Sequence, residues 1–168
     1  MFFLKDLPTD MPLQEFSLRY PYMNPSALKI CAELMRTGSD MLAAFDTVLG
    51  KYGLSQGRFL VLIVMNRTPD TEINPSTLAE KLGVKKATMT GLLDGLEKDN
   101  LVERLADPRD RRKVGIRLTA NGQQLLDGML PDYYRHMAKL TANLSENERQ
   151  TMISLLTKVN RNLSSIFS

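Results

Sequence analysis

From Ser26 onward, apolar residues return every three or four positions: Leu28, Cys31, Leu34 or Met35, Gly38, Met41 or Leu42, Phe45, and Val48 or Leu49. That spacing predicts a long amphipathic helix, ended by Gly50 and Gly53. Ser55 offers an N-cap for a second helix, Gln56 to about Arg67. Its run Phe59-Leu60-Val61-Leu62-Ile63-Val64-Met65 is apolar on all sides, so this helix is expected to be buried. Asn74-Pro75 supplies the N-cap and first position of a short helix ending at Gly83. A further helix, roughly Lys85 to Asp99, carries Met89, Leu92, Leu93 and Leu96 on one stripe. Residues 101–118 then read as two short strands holding out a loop crowded with arginine. Thr119 caps a helix reaching about Ala142, with a kink expected at Pro131, which lacks a backbone donor. Ser145-Glu146-Asn147-Glu148 is a capping box. It opens a last helix with Met152, Leu155 or Leu156, Val159, Leu163 and Ile166 on one face. The first 25 residues hold Pro8, Pro12, Pro21 and Pro25 and read as an irregular arm.

Two successive helices joined by a turn at Gly83-Val84 have the outline of a helix-turn-helix, in which the second helix enters the major groove. The strand pair that follows stands where a wing would be. The expected fold is therefore mainly α with a small β-wing: a winged helix-turn-helix DNA-binding lobe plus a helical dimerisation region. Residues 1–25 form the arm, 26–54 a dimerisation helix, 55–119 the DNA-binding lobe and 120–168 the C-terminal dimerisation helices. The first and last helices carry long apolar seams, which a chain of 168 residues satisfies most easily by pairing with a second copy.

Charge sharpens the picture of the loop. Between Arg104 and Lys113 stand five basic residues (Arg104, Arg109, Arg111, Arg112, Lys113) and two acidic ones (Asp107, Asp110), a surplus of +3 that equals the net charge of the whole chain. Such concentration on one hairpin is the electrostatic footprint of a nucleic-acid-binding element. A pI near 9.0 permits that partner without requiring it. Cys31 and His136 are the only residues of their types, which excludes an intramolecular disulfide framework and a common Cys/His zinc site. No metal or cofactor is expected. No run approaches the ~18 apolar residues of a membrane span, so a cytoplasmic protein is expected.

The chain resembles the MarR family of winged helix-turn-helix regulators. The carrying residues are Leu78-Ala79-Glu80-Lys81-Leu82-Gly83-Val84, the run from Leu92 to Arg104, Asp107-Pro108-Arg109-Asp110-Arg111-Arg112 in the wing, and Leu118-Thr119-Ala120-Asn121-Gly122 leading into the next helix. A Tyr-rich arm before a cysteine-bearing first helix is similar to the branch that contains the multidrug regulator EmrR. The resemblance implies a homodimer joined by its terminal helices. It further implies two winged lobes on a pseudo-palindromic operator in double-stranded DNA, and repression relieved by a small aromatic or phenolic ligand. It places the ligand between the dimerisation helices and the winged lobe, where Met41, Phe45, Tyr52 and Phe59 are candidates to line a cavity.

For DNA contact, Lys85 and Lys86 can reach phosphates, while Ala87, Thr88, Thr90 and Gly91 lie off the apolar stripe and can face base edges or thymine methyls. Many family members carry a long basic side chain near Gly91. Glycine there suggests a closer approach of the helix backbone to DNA. Arg109 and Arg111 suit a narrow minor groove, with Arg112 a further DNA-binding candidate or a partner of Asp107 or Asp110, which shape the loop.

Two other readings stay open. Cys31 could sense oxidants, as a first-helix cysteine does in some family members, against a packed, inert thiol on the seam. The winged helix could instead serve as a protein-interaction module without DNA. Gly53-Leu54-Ser55-Gln56-Gly57 matches the GxSxG pattern of serine hydrolases, but a nucleophile elbow needs a strand before the serine, where this chain reads as helix. His136 would have to be its only base. Ser55 is therefore expected to cap a helix, and the protein is not expected to be an enzyme.

Overall fold

The computed structural model describes residues 10–68, 71–106 and 114–166. Its elements in chain order are α1 (Asp10–Arg19), α2 (Pro25–Gly50), α3 (Gln56–Asn66), α4 (Pro75–Leu82), α5 (Lys86–Lys98), β1 (Val102–Ala106), β2 (Val114–Leu118), α6 (Ala120–Leu140) and α7 (Glu146–Ile166). The mainly helical architecture with one small wing is the expected one.

Most helices begin where side-chain chemistry supplies a cap. Asn24 Oδ1 accepts from the Ala27 amide at 3.1 Å with Pro25 next in line, and Asn74 Oδ1 accepts from the Ser76 amide at 2.9 Å ahead of α4. Ser55 and Thr119 cap α3 and α6, accepting from the Arg58 and Gly122 amides. Before α7 the capping box is reciprocal: Glu148 Oε2 accepts from the Ser145 amide at 2.8 Å, and Ser145 Oγ accepts from the Glu148 amide at 3.3 Å. Each such bond satisfies an amide that the first helical turn leaves without a partner.

The arm departs from expectation. Residues 10–19 are helical rather than irregular. Pro12 falls in the first turn, where an amide has no intrahelical acceptor to lose, so proline limits where this helix starts without forbidding it. At the other end of the molecule α6 runs unbroken through Pro131.

One core joins α3, α4, α5, the wing strands and the first half of α6. Phe59, Val61, Leu62 and Met65 meet Leu78 and Ala79, then Met89, Leu93 and Leu96, with Val102, Ile116, Leu126 and Met129 closing the cluster. Burying each such side chain is worth about 1.5–3 kcal/mol against leaving it in water. α3 is not buried all round: Leu60 remains 49% exposed on the side turned to α2. The wing strands pair antiparallel with Val102 opposite Leu118 and Ala106 opposite Val114, and Ile73 adds a bridge to Ile116 with both hydrogen bonds at 2.9 Å. Two residues fasten α6 to the base of this sheet. Thr119 donates its amide to Leu101 O and its hydroxyl to Asn100 O, and Gly122 lets the helix lie against the Leu101 carbonyl, where a side chain would collide.

The long helices behave differently. On α2 only Leu49 is buried, and none of the described side chains of α7 is. Ile30 and Leu34 of α2 face Met152, Leu155, Leu156 and Val159 of α7 across an apolar groove of about 520 Å³.

Candidate nucleic-acid interface

The helix-turn-helix is set by one residue of left-handed backbone. Gly83 at φ 65° ends α4, and the amides of Gly83 and Val84 return to Glu80 O and Ala79 O. Glycine takes this conformation without a Cβ clash. The chain turns immediately into α5, whose cap position is Lys85. A lysine cannot accept the helix's first amides, and no side chain caps them.

Met89, Leu93 and Leu96 bury one face of α5. Lys85, Lys86, Ala87, Thr88, Thr90 and Gly91 are all exposed on the other, so the six residues expected to meet DNA do share one outward surface. Thr90 Oγ1 donates to Lys86 O at 3.1 Å, which holds its rotamer. A Cβ added at Gly91 would meet nothing within 4 Å, so the protein's own packing does not require glycine there. Beside this face lies a polar depression of about 320 Å³ lined by Asn74, Pro75, Ser76, Lys86, Thr90 and Val114. It brings the start of α4, the start of α5 and the upper end of β2 to one place.

The wing's basic surplus divides. Arg104 is committed internally: Nη2 bonds Asp94 Oδ1 at 2.6 Å and Nη1 bonds Glu97 Oε2 at 2.7 Å, tying β1 to α5. The Asp94 hydrogen bond, with Glu97 nearby, raises its pKa above an already high ordinary value despite some burial. Arg117 pairs with Glu103 directly across the strands at 2.9 Å. Arg109, Arg111, Arg112, Lys113, Asp107 and Asp110 lie outside the described residues.

Behind α5, two glycines let α3 approach closely. A Cβ at Gly57 would come within 2.9 Å of Leu92 Cδ2, and one at Gly95 would strike the Arg58 guanidinium, which crosses it to bond Asp99 at 2.7 Å. On the side of α3 turned to α2 lies a cavity of about 190 Å³ lined by Leu42, Phe45, Gln56, Phe59, Leu60 and Tyr133, among others. Phe45 and Phe59 were expected here. Met41 and Tyr52 are half-buried elsewhere and do not line it. Tyr133 was missed, although its ring lies 5.9 Å from that of Phe45 and 5.0 Å from that of Phe59. Its signal, an aromatic two residues beyond Pro131, does not stand out along the chain.

Cys31 is exposed, which corrects the expectation of a packed thiol. It sits on a stretch of α2 where Leu28, Ile30 and Met35 are exposed too, so the apolar spacing marked a face that the chain itself does not cover. Ser55 follows a helix end and a turn, not a buried strand, and its oxygen is engaged with the Arg58 amide; the elbow geometry of a hydrolase is missing. No helix among the described residues is long and apolar enough to cross a membrane.

A helix-turn-helix with an exposed second helix, followed by a paired-strand wing clamped to it, defines a winged helix-turn-helix DNA-binding regulator. The family profile described as "MarR family" matches residues 54–114, which span that lobe. The HTH-type transcriptional repressor YetL of Bacillus subtilis (strain 168) is 31% identical over 91% of this chain and 92% of its own length. Among solved structures, a probable transcriptional regulator from Pseudomonas aeruginosa superposes with a TM-score of 0.65 at 25% identity, covering 75% of this chain and 92% of the other. A variant of S. aureus MepR bound to an oligodeoxyribonucleotide gives 0.55 at 25% identity, covering 79% and 96%. The chain belongs to the MarR family of transcriptional regulators.

Proposed function

We propose that this regulator is a cytoplasmic, homodimeric repressor, without enzymatic activity, that binds a pseudo-palindromic operator and is released from it by a small aromatic ligand. The observation that carries the DNA reading is the outward face of α5. From Lys85 to Gly91 it holds two lysines, two threonines, no acid and no large apolar side chain outside the core, beside the polar depression at Asn74, Ser76 and Lys86. In this reading Lys85 and Lys86 take phosphates, and Ala87, Thr88, Thr90 and Gly91 face base edges in the major groove. Arg109, Arg111 and Arg112 reach the flanking minor groove, with Asp107 and Asp110 shaping the loop.

The dimer reading is supported by the exposed apolar faces of α2 and α7 around their shared groove. Residues 26–54 and 120–168 then serve dimerisation and 55–119 serves DNA. Two lobes related by a two-fold axis would read half-sites about one helical turn apart. The effector reading is supported by the aromatic cavity between α2, α3 and α6.

Genomic fragments retained by the purified protein, sequenced with and without aromatic compounds present, test all three parts. The expected result is an enriched inverted repeat near the protein's own coding region, with retention lost on adding an effective compound. Sedimentation should give a dimer. Retention without sequence preference, or a monomer at micromolar concentration, would overturn the corresponding part.

A further inference from the structure

The cavity between α2, α3 and α6 is built for an uncharged ring. None of its lining residues carries a charge, and its polar groups are the Gln56 amide and the Tyr133 hydroxyl. Gln56 spends one N–H on Leu42 O at 3.0 Å, leaving its carbonyl oxygen available. No protein group bonds the Tyr133 hydroxyl, while its ring is held by contacts with Phe45, Phe59 and Tyr134. Arg58, on the same helix, is engaged with Asp99 and does not line the space.

These facts bear on the ligand's charge. A carboxylate entering this space would lose its hydration with no cation to replace it, a cost of several kcal/mol that a neutral hydroxyl or carbonyl escapes by bonding to an amide or phenol. Volume bears on its size. An apolar cavity of about 150 Å³ accepts benzene, so about 190 Å³ accepts one ring with a small substituent. Ring faces meeting at 35° and 50° favour an aromatic guest over an aliphatic one of equal volume.

We infer that the cavity takes a neutral, single-ring aromatic compound bearing one hydrogen-bonding oxygen, held between Phe45, Phe59 and Tyr133, and that it rejects the corresponding aromatic acid. This rests on the effector reading above and narrows it. The occupied cavity would press on Gln56, Phe59 and Leu60 of α3. The other side of that helix is fixed to α5 through Gly57 against Leu92 and through Arg58 to Asp99, so the guest and the DNA-reading helix share one wall.

The test measures release of the full-length protein from its retained operator fragment by phenol and by benzoate at pH 7, with binding followed by ligand-observed NMR. Phenol should release the operator and benzoate at the same concentration should not. Tyr133→Phe, which keeps the ring, should require about three- to tenfold more phenol while binding the operator normally without it. Leu60→Phe, which fills space from a half-exposed position, should remove the response. Release by benzoate as effective as by phenol, or a phenol response unchanged in both variants, would overturn the inference while leaving the effector reading intact. An operator complex indifferent to a chemically mixed panel of small molecules would overturn both.

Discussion

Arg104 on β1 donates to Asp94 on α5 at 2.6 Å, and the same guanidinium reaches Glu97 one turn further along. The wing is thereby fixed to the DNA-reading helix by a residue that takes no part in reading. Because Asp94 and Glu97 remain partly exposed, the pairs contribute about 1 kcal/mol or less to stability. Their larger effect is on the angle between wing and helix. Arg104→Ala should therefore weaken operator binding several-fold while leaving the slope of log affinity against log salt unchanged, since no phosphate contact is lost. Arg111→Ala, at the wing tip, should instead reduce that slope by about 0.9. Salt titrations of the two variants separate the roles, and a reduced slope for Arg104→Ala would make it a phosphate ligand after all.

Gly122 carries a different kind of constraint. A methyl group there would come within 2.8 Å of Leu118 Cδ1 and collide with the Leu101 carbonyl, which is backbone held by the Thr119 amide. Alanine's helix propensity favours the substitution by about 1 kcal/mol, but crowding against fixed backbone costs about 1–3 kcal/mol. Gly122→Ala should lower the denaturant midpoint by more than propensity restores. A variant as stable as the parent would show that α6 can slide at its start.

What could be read along the chain was what local chemistry decides. Ser55, Asn74-Pro75, Thr119 and the Ser145–Glu148 pair each satisfy amides within three residues, so caps announce helix starts before any tertiary contact exists. The outward face of α5 followed from period alone. What escaped was decided across elements. Arg104 counted as wing charge until Asp94 and Glu97 were found beneath it, ten and seven residues earlier. Tyr133 meets Phe45 and Phe59 only because α6 packs onto α3. Cys31 lies on a true apolar stripe, but period tells which residues share a face and not whether the chain covers it. Pro12 misled because its cost depends on its place in the turn, which composition does not state.

The capping box before α7 makes that helix start sensitive to acid. The Ser145 amide and hydroxyl both donate to Glu148, holding its carboxyl below the usual carboxylate range, and Gln150 with Arg149 does the same for Glu146. A carboxylate whose pKa is depressed by folding stabilises the fold above its unfolded value and loses that contribution as pH falls through the folded one. Protection of the first-turn amides of α7 against hydrogen exchange should thus hold at neutral pH and decline from about pH 4.5 downward. Glu148→Gln should flatten most of this dependence, and an unchanged acid profile in that variant would place the titrating group elsewhere.

Gly91 sets stability and function against each other. Helical glycine costs about 0.5–1 kcal/mol relative to alanine, because it loses more backbone freedom on folding. Nothing within 4 Å would obstruct a methyl group, so the folded chain gives no packing reason for this cost. The position is exposed, one residue beyond Thr90 on the face turned away from the core. If the α5 backbone approaches the base edges closely there, the missing side chain is what permits it. Gly91→Ala should raise the denaturation midpoint and at the same time weaken specific operator binding by about tenfold, a loss of about 1.4 kcal/mol. Non-specific binding, which depends on phosphate contacts, should change little. Parallel denaturation and operator titrations check both signs, and a variant that gains stability with undiminished specificity would remove Gly91 from the DNA-reading face.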